Sequence, residues 1–510
     1  MCTQKGFLSG DNHGSGFSLY SCLEESKERM YRLTPLLAAN IEHFLHSYGA
    51  LAMLAETFGS PVNLLFPESL TTNGKGFFEV FERYGLQGKV YYAHKPNKAK
   101  ALVKQAYFSG MHIDVASKAE LLDALEAGFT GDMIGATGPK NKEFLLLTIQ
   151  QRCCICVDSL DELHLIARFA QLLKVKEKVS LLIRLTGFQS STKSVLVRDS
   201  RFGIHLKHAE EIFAACADPH LELQGFAFHI DTTSESEKVT AIENTLHVML
   251  QAQERGFSPS ILDIGGGFKV NYLASENQWN AYTTALRRSI AGEISSITWN
   301  NTGYGFKAVD GQLRGAPTYY QYYNRIVGHE FLEQILCTPL ADFERRTVAQ
   351  VLNDLMIELW IEPGRALLDQ CGLTLAQVTF VKSSAHGEWL VGLDMNKSQL
   401  SSGEDEMFCD PLVISSGGAR EDGYEATQGV YFVGNLCQEH DLIYRHKTFL
   451  PHLPTMDDLI VFVNTAAYHM DFNESESIKH PIARKLIVVP RDQATFSFYE
   501  DHIYHPLLSR

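Results

Sequence analysis

"VYYAHKPNKAKALVKQAYFSGMHIDVASKAELLDALEAGF", residues 90–129, holds two short apolar runs, "VYYAHK" (90–95) and "MHIDVAS" (111–117), each followed by a longer amphipathic stretch. Short runs rich in β-branched and aromatic residues read as buried strands, and "KAKALVKQAYFSG" and "KAELLDALEAGF" read as helices. The pattern then repeats. "DMIGAT" (132–137) and "CCICVDS" (153–159) continue it, so the first four runs begin 21 residues apart. Four more follow: "SLLIRLT" (180–186), "LQGFAFHI" (223–230), "ILDIGGG" (261–267) and "ELWIEPG" (358–364). Eight alternating units predict an α/β fold whose parallel sheet closes into a (β/α)8 TIM barrel, over residues 75–375.

Two regions depart from the repeat. Between the seventh and eighth runs, residues 268–357 contain the tyrosine-rich "YYQYYN" (319–324) and are too long for an ordinary connection, so an inserted lid or interface element is expected. Over 376–510, "LAQVTFVKSS", "EWLVGLDM", "GVYFVGN", "DLIVFVNTAAY" and "KLIVVP" predict an antiparallel C-terminal β domain, with residues 1–74 packing against it.

Composition narrows the function. The 510 residues, 45% hydrophobic, suffice for two cores. Lys plus Arg total 45 against 60 Asp plus Glu, a formal charge of −15, and no long basic run is present, which argues against nucleic acid as a partner. No apolar stretch has the length of a membrane span and "MCTQKGFLSGDNHGSG" lacks a signal-peptide core, so a soluble cytoplasmic protein without membrane partners is expected. The ten cysteines are irregularly spaced, and Cys153, Cys154 and Cys156 sit in an apolar run as reduced core residues. His205 and His208 lack a third ligand, so no metal is expected.

A barrel of this kind carries its reactive groups where the strands stop. Those ends offer Lys95, Ser117, Thr137, Asp158, Arg184, His229, Gly265-Gly266-Gly267, and Glu362 with Arg365. Lys95 closes an apolar strand, where a buried ammonium is costly unless paired, neutral or covalently modified. A lysine that attacks an aldehyde, its pKa lowered by desolvation, meets that condition, while snorkelling to solvent is the plain alternative. "LDIGGGF" (262–268) lets backbone N–H groups approach an anion, or simply makes a tight turn. "EPGRALL" (362–368) sets an acid and a guanidinium three residues apart, for a ring nitrogen and a phosphate, or as a surface ion pair. Together these groups suit pyridoxal phosphate.

The ordered landmarks "YYAHKPNK", "IDVASKAEL", "SRFGI", "FHIDTTS", "LDIGGGF", "EPGR", "GNLCQEHD" and "NTAAYHMDFN", spread over about residues 60–490, resemble the fold-type III pyridoxal-phosphate decarboxylases, the diaminopimelate, ornithine and arginine decarboxylase group. The resemblance implies an alanine-racemase-like barrel with pyridoxal 5'-phosphate bound as a Schiff base on Lys95. It further implies His229 stacked on the ring, Glu362 at the pyridine nitrogen, and Gly265, Gly266, Gly267, Arg365 and Tyr468 around the phosphate, with Asp114 and Glu120 near the lysine. Cys437 would enter from the second subunit of a head-to-tail homodimer with shared active sites.

Departures from the family pattern concern the substrate. "HIDT" (229–232) stands where the family has "HxGS", so Thr232 replaces a phosphate-binding serine and Asp231 adds a charge. Gln438 follows Cys437 where the relatives have an acid that reads a distal ammonium, and a neutral amide forms no ion pair. Glu439 or Asp441 could compensate. The arginine and tyrosine that hold diaminopimelate's distal carboxylate are not recognisable in residues 395–414, and Phe472 in "DFN" lies closer to Tyr468 than its usual counterpart. The expected activity is α-decarboxylation of an amino acid or amino-acid conjugate, with Lys95, His229, Glu362 and Cys437 catalytic and Gln438, Glu439, Asp441 and Phe472 facing the substrate. The alternatives are a racemase on the same fold, disfavoured by an acid rather than an arginine at the pyridine nitrogen, and a catalytically silent partner protein.

Overall fold

The computed structural model describes residues 31–190, 200–230, 232–402, 406–415, 428–492 and 495–509. Its first strand, β1 (Val62–Leu65), is buried throughout and belongs to a second sheet rather than to the barrel. The barrel is built from β2 (Gly88–Ala93), β3 (His112–Val115), β4 (Ile134–Ala136), β5 (Cys154–Val157), β6 (Val179–Thr186), then, after the two-residue β7 (Ile204–His205), β8 (Leu221–Ala227), β9 (Ile261–Asp263) and, past the hairpin β10 (Phe306–Val309) and β11 (Gln312–Gly315), β12 (Glu358–Ile361). Their order is β5-β4-β3-β2-β12-β9-β8-β6, every pairing is parallel, and β5 pairs with β6 to close the ring. The eight runs read from the sequence are the eight staves.

The period of two along each strand decides which side chains enter the barrel. Tyr91, Cys154, Cys156, Leu182, Ala227, Ile261 and Trp360 form a compact interior cluster separate from the main core. Their neighbours Val90, Tyr92, Ile155, Ile183 and Phe226 face the helical ring and join the main core. Two residues beyond an interior position the next side chain again points inward, now at the mouth. Tyr91 and Ala93 lead to Lys95, Leu182 to Arg184, Ala227 to His229, Ile261 to Asp263 and Trp360 to Glu362. The three cysteines of the apolar run are buried and unbridged.

The second sheet holds β13 (Gly372–Ser383), β14 (Trp389–Leu393), β15 (Leu412–Ile414), β16 (Gln428–Val433), β17 (Thr448–Leu450), β18 (Leu459–Val463), β19 (Arg484–Pro490) and β20 (Phe496–Glu500) together with β1. Its pairings are antiparallel except β1 with β19 and β14 with β16. β13 is the spine: its first half pairs with β1 and β18, and after a register shift between Val378 and Phe380 its second half runs beside β14. Within residues 268–357, the helices Gly328–Cys337 and Val348–Asp354 belong to the barrel's outer ring, Gly328–Cys337 packing on the helices Pro67–Tyr84 and Glu235–Glu254. The part that departs from the repeat is the helix Glu276–Ile290, the β10–β11 hairpin and the tyrosine-rich segment after it. Among the described residues no helix is long and apolar enough to cross a membrane.

Candidate active site

At the C-terminal ends of the barrel strands lies a cavity of 1710 Å³, whose walls include Lys95, Asp114, Arg184, His229, Asp263, Glu362 and Arg365. Strand periodicity brings most of these in; the glycine run and the turn after β12 supply the rest. Gly265 and Gly267 adopt φ of 63° and 82°, conformations glycine alone enters freely. A Cβ on Gly265, Gly266 or Gly267 would lie 2.6 Å from Phe228 O, 2.7 Å from Glu362 O and 2.6 Å from Thr232 O respectively, so backbone must pass where no side chain fits. The Gly266 N–H donates to His229 Nδ1 at 3.1 Å, which makes that ring nitrogen an acceptor. Burial, with Lys95, Lys238 and Arg184 nearby, holds the imidazole pKa well below its ordinary value, in keeping with a neutral ring.

Arg365 supplies the cationic group of the turn. Its guanidinium lies 4.6 Å over the Tyr320 ring and 5.2 Å from the Tyr468 ring, and its buried Nη1 has no hydrogen-bond partner among the described residues. Buried polar atoms of this kind normally have partners, so an unpartnered guanidinium nitrogen beside a glycine cradle fits the phosphate of pyridoxal phosphate. Thr232 is buried at the same wall, its hydroxyl accepting the Ser234 N–H at 3.0 Å. Asp231 lies outside the described residues.

Three carboxyls face the same cavity. Burial raises Glu362 well above its usual range, and Asp263 and Asp114 push it further. Burial also raises Asp114, to about 7, although Thr137 donates a hydrogen bond to its Oδ1 at 2.7 Å. Asp263 is raised to about 6, against a 2.8 Å bond from the Gly265 N–H. Lys95 departs from expectation. Desolvation was to lower its pKa, yet it is raised, because interactions with Tyr468, and then with Asp114 and Glu362, outweigh burial where the side chain stays open to the cavity.

Other sequence-derived residues fall elsewhere. Glu120 does not line the cavity: its Oε2 accepts the Ala116 N–H at 2.6 Å and its own N–H is capped by Ser117, so it braces the loop after β3. Asp441 is buried and accepts the N–H groups of Lys397 and Leu436, both at 2.8 Å, which pins the 434–441 loop and leaves no carboxylate free for a substrate. Cys437, Gln438 and Glu439 are exposed on that loop and do not line their own chain's cavity. Phe472 does line it, 5.7 Å from the Tyr468 ring, and is 43% exposed. Sequence reasoning missed Asp263, Tyr320, Lys140 and Lys238. Lys140 is fully buried below the mouth, paired with Glu162 at 2.8 Å and donating to Gly138 O and Cys156 O.

Residues 75–299 match the family described as "Pyridoxal-dependent decarboxylase, pyridoxal binding domain". The chain is thus similar to the pyridoxal-phosphate decarboxylases of fold type III. It is 27% identical over 466 residues to an uncharacterized protein of Sinorhizobium fredii, covering 90% of this chain and 94% of that one. It is 23% identical over 430 residues to the diaminopimelate decarboxylase of Staphylococcus aureus, covering 82% and 86%. In fold it resembles the diaminopimelate decarboxylase of M. jannaschii, with a TM-score of 0.64 at 19% identity over 90% of this chain and 95% of that one. The glycine cradle, unpartnered arginine and mouth lysine are the features that suit pyridoxal phosphate.

Proposed function

We propose that the enzyme removes the α-carboxylate of an amino acid or amino-acid conjugate, with Lys95 as the residue that bonds to the cofactor aldehyde. The observation that carries this reading is the convergence of Lys95, His229, Glu362 and Arg365 with the glycine run on one cavity. In this reading Gly265, Gly266, Gly267, Thr232, Arg365 and Tyr468 hold the phosphate, Glu362 meets the ring nitrogen and His229 lies against the ring. Pyridoxal phosphate, when bound, supplies the electron sink for the bond broken at the α-carbon.

The chain's own groups govern protons and charge. Glu362, kept protonated by burial beside Asp263 and Asp114, has a proton to share with a basic nitrogen. The neutral imidazole of His229, anchored by the Gly266 N–H, presents a face without charge. Lys95 must lose a proton before it can react. Asp114, with its pKa about 7, interacts with Lys95 and can accept one near neutrality.

Cys437, Gln438 and Glu439, exposed outside their own cavity, serve a site across a head-to-tail contact with a second copy, Cys437 as an acid at the α-carbon. Gln438 cannot pair with a distal ammonium, which weakens a plain diamino acid by roughly 2 kcal/mol. A CO2-release screen across L- and D-amino acids, diamino acids and acyl conjugates tests the reading. Release from conjugates or neutral-tailed amino acids supports it; release from lysine-like diamines alone contradicts the role of Gln438, and racemisation without gas contradicts the decarboxylation.

A further inference from the structure

Lys238 stands in the first turns of the helix Glu235–Glu254 and is fully buried. A buried ammonium ordinarily sits against a carboxylate, as Lys140 does against Glu162. Lys238 does not. Among the described residues no carboxylate lies within ion-pair distance, and its Nζ donates instead to Gly266 O at 2.6 Å and Ile264 O at 3.4 Å, with the Phe268 ring centre at 5.6 Å. Burial lowers its pKa to about 8, with Asp263 and Glu362 pulling upward, so the amine still carries a proton at neutral pH. Its charge therefore lacks a counter-ion in direct contact.

The geometry shows where one belongs. In a trans peptide the C=O and the following N–H point in opposite directions. Tying Gly266 O toward Lys238 turns the Gly267 N–H the other way, and among the described residues that N–H has no protein acceptor. The loop between them is thin: a Cβ on Gly267 would lie 3.5 Å from Lys238 Nζ. Gly266 and Gly267 line the cavity whereas Lys238 does not, so the lysine lies behind the loop.

We propose that Lys238 is a positioning residue for the cofactor phosphate, holding the Gly266 carbonyl so that the Gly267 N–H faces the anion and supplying positive charge from behind the loop. Lys238 touches neither substrate nor reacting atoms, so its effect appears in selection of the phosphorylated cofactor. This goes beyond the proposed reaction and does not depend on which amino acid is consumed.

The test is equilibrium binding of pyridoxal phosphate and of unphosphorylated pyridoxal, followed by absorbance, for the full-length protein and three variants. Lys238→Arg keeps the charge, Lys238→Gln keeps a donor without charge, and Lys238→Met removes both. The preference for the phosphorylated form should fall about tenfold or more in Lys238→Met and by less in Lys238→Gln, with pyridoxal affinity within about twofold of the original, and Lys238→Arg should retain it within about threefold. A purely structural role would move both ligands together. An unchanged preference in either folded charge-removing variant, or equal loss for both ligands, overturns the inference. If only Lys238→Arg folds, a preference reduced more than about tenfold overturns it and retention supports it. A parent protein that binds pyridoxal phosphate no better than pyridoxal overturns it too, by removing the anion pocket itself.

Discussion

Two of the places where the molecule buries carboxylates treat them oppositely. Glu406, 4% exposed, accepts hydrogen bonds from the Tyr304 hydroxyl at 2.5 Å, the Arg445 N–H at 2.7 Å, Arg445 Nε at 2.5 Å and His446 Nδ1 at 3.2 Å. His446 is itself stacked between Phe408 and Tyr444, with centroids 4.5 Å and 4.7 Å away. Burial alone would push Glu406 up, but these partners bring it down to about 2. At the barrel mouth the buried Asp114 and Asp263 and the half-buried Glu362 shift upward. The difference lies in the neighbours: Glu406 faces Arg445 and His446, whereas the three carboxyls at the mouth face one another, with Lys95 and Arg184 only partly offsetting the crowding.

Substitutions can break that contrast. Lys95→Ala should lower decarboxylation by on the order of 10³-fold or more while leaving the melting temperature near that of the parent, as expected for a group acting only in the reaction. Glu406→Gln should do the reverse, costing roughly 3 kcal/mol of stability with kcat unchanged, read by denaturant unfolding and steady-state kinetics. The sign follows from a folded pKa of about 2, against 4.5 for an ordinary glutamate: the contribution is present above about pH 4.5 and is lost as pH falls toward about 2. The Glu406 variant should therefore show a shallower acid-induced loss of stability than the parent. Glu362→Gln should reduce kcat by about 10²-fold while cofactor absorbance persists, because it removes a preorganised proton donor. Gln438→Glu sharpens the picture at the substrate end, raising kcat/KM for diamino acids about tenfold over neutral-tailed ones in paired CO2-release assays.

Much of the fold was legible because barrel staves repeat locally. Runs 21 residues apart predicted strands that the structure places as β2 to β5, and the period of two that fills the interior from Tyr91 also carries Lys95 to the mouth. The same step places Asp263 two residues after Ile261, so that acid was readable in "LDIGGG". The second sheet was less so. Val62 in β1 pairs with Arg484 in β19, a contact no local pattern encodes, and the three-residue strands β15 and β17 are too short to show a period. Lys238 gave no signal, since "SESEKVTA" reads as the solvated start of a helix and becomes buried only because that helix packs beneath the glycine run. Tyr320 was visible as part of a tyrosine-rich segment, but only tertiary packing brings its ring against Arg365. Asp441 misled for the converse reason: its carboxylate is consumed by backbone N–H groups of its own loop.

The central claim is that one lysine at the barrel mouth holds the cofactor covalently. Borohydride reduction of the protein loaded with pyridoxal phosphate, followed by digestion and peptide mass spectrometry, tests it most directly. A single pyridoxyl adduct on the peptide bearing Lys95 is the predicted result; an adduct on Lys140 or Lys238, or none with the cofactor bound, would contradict it.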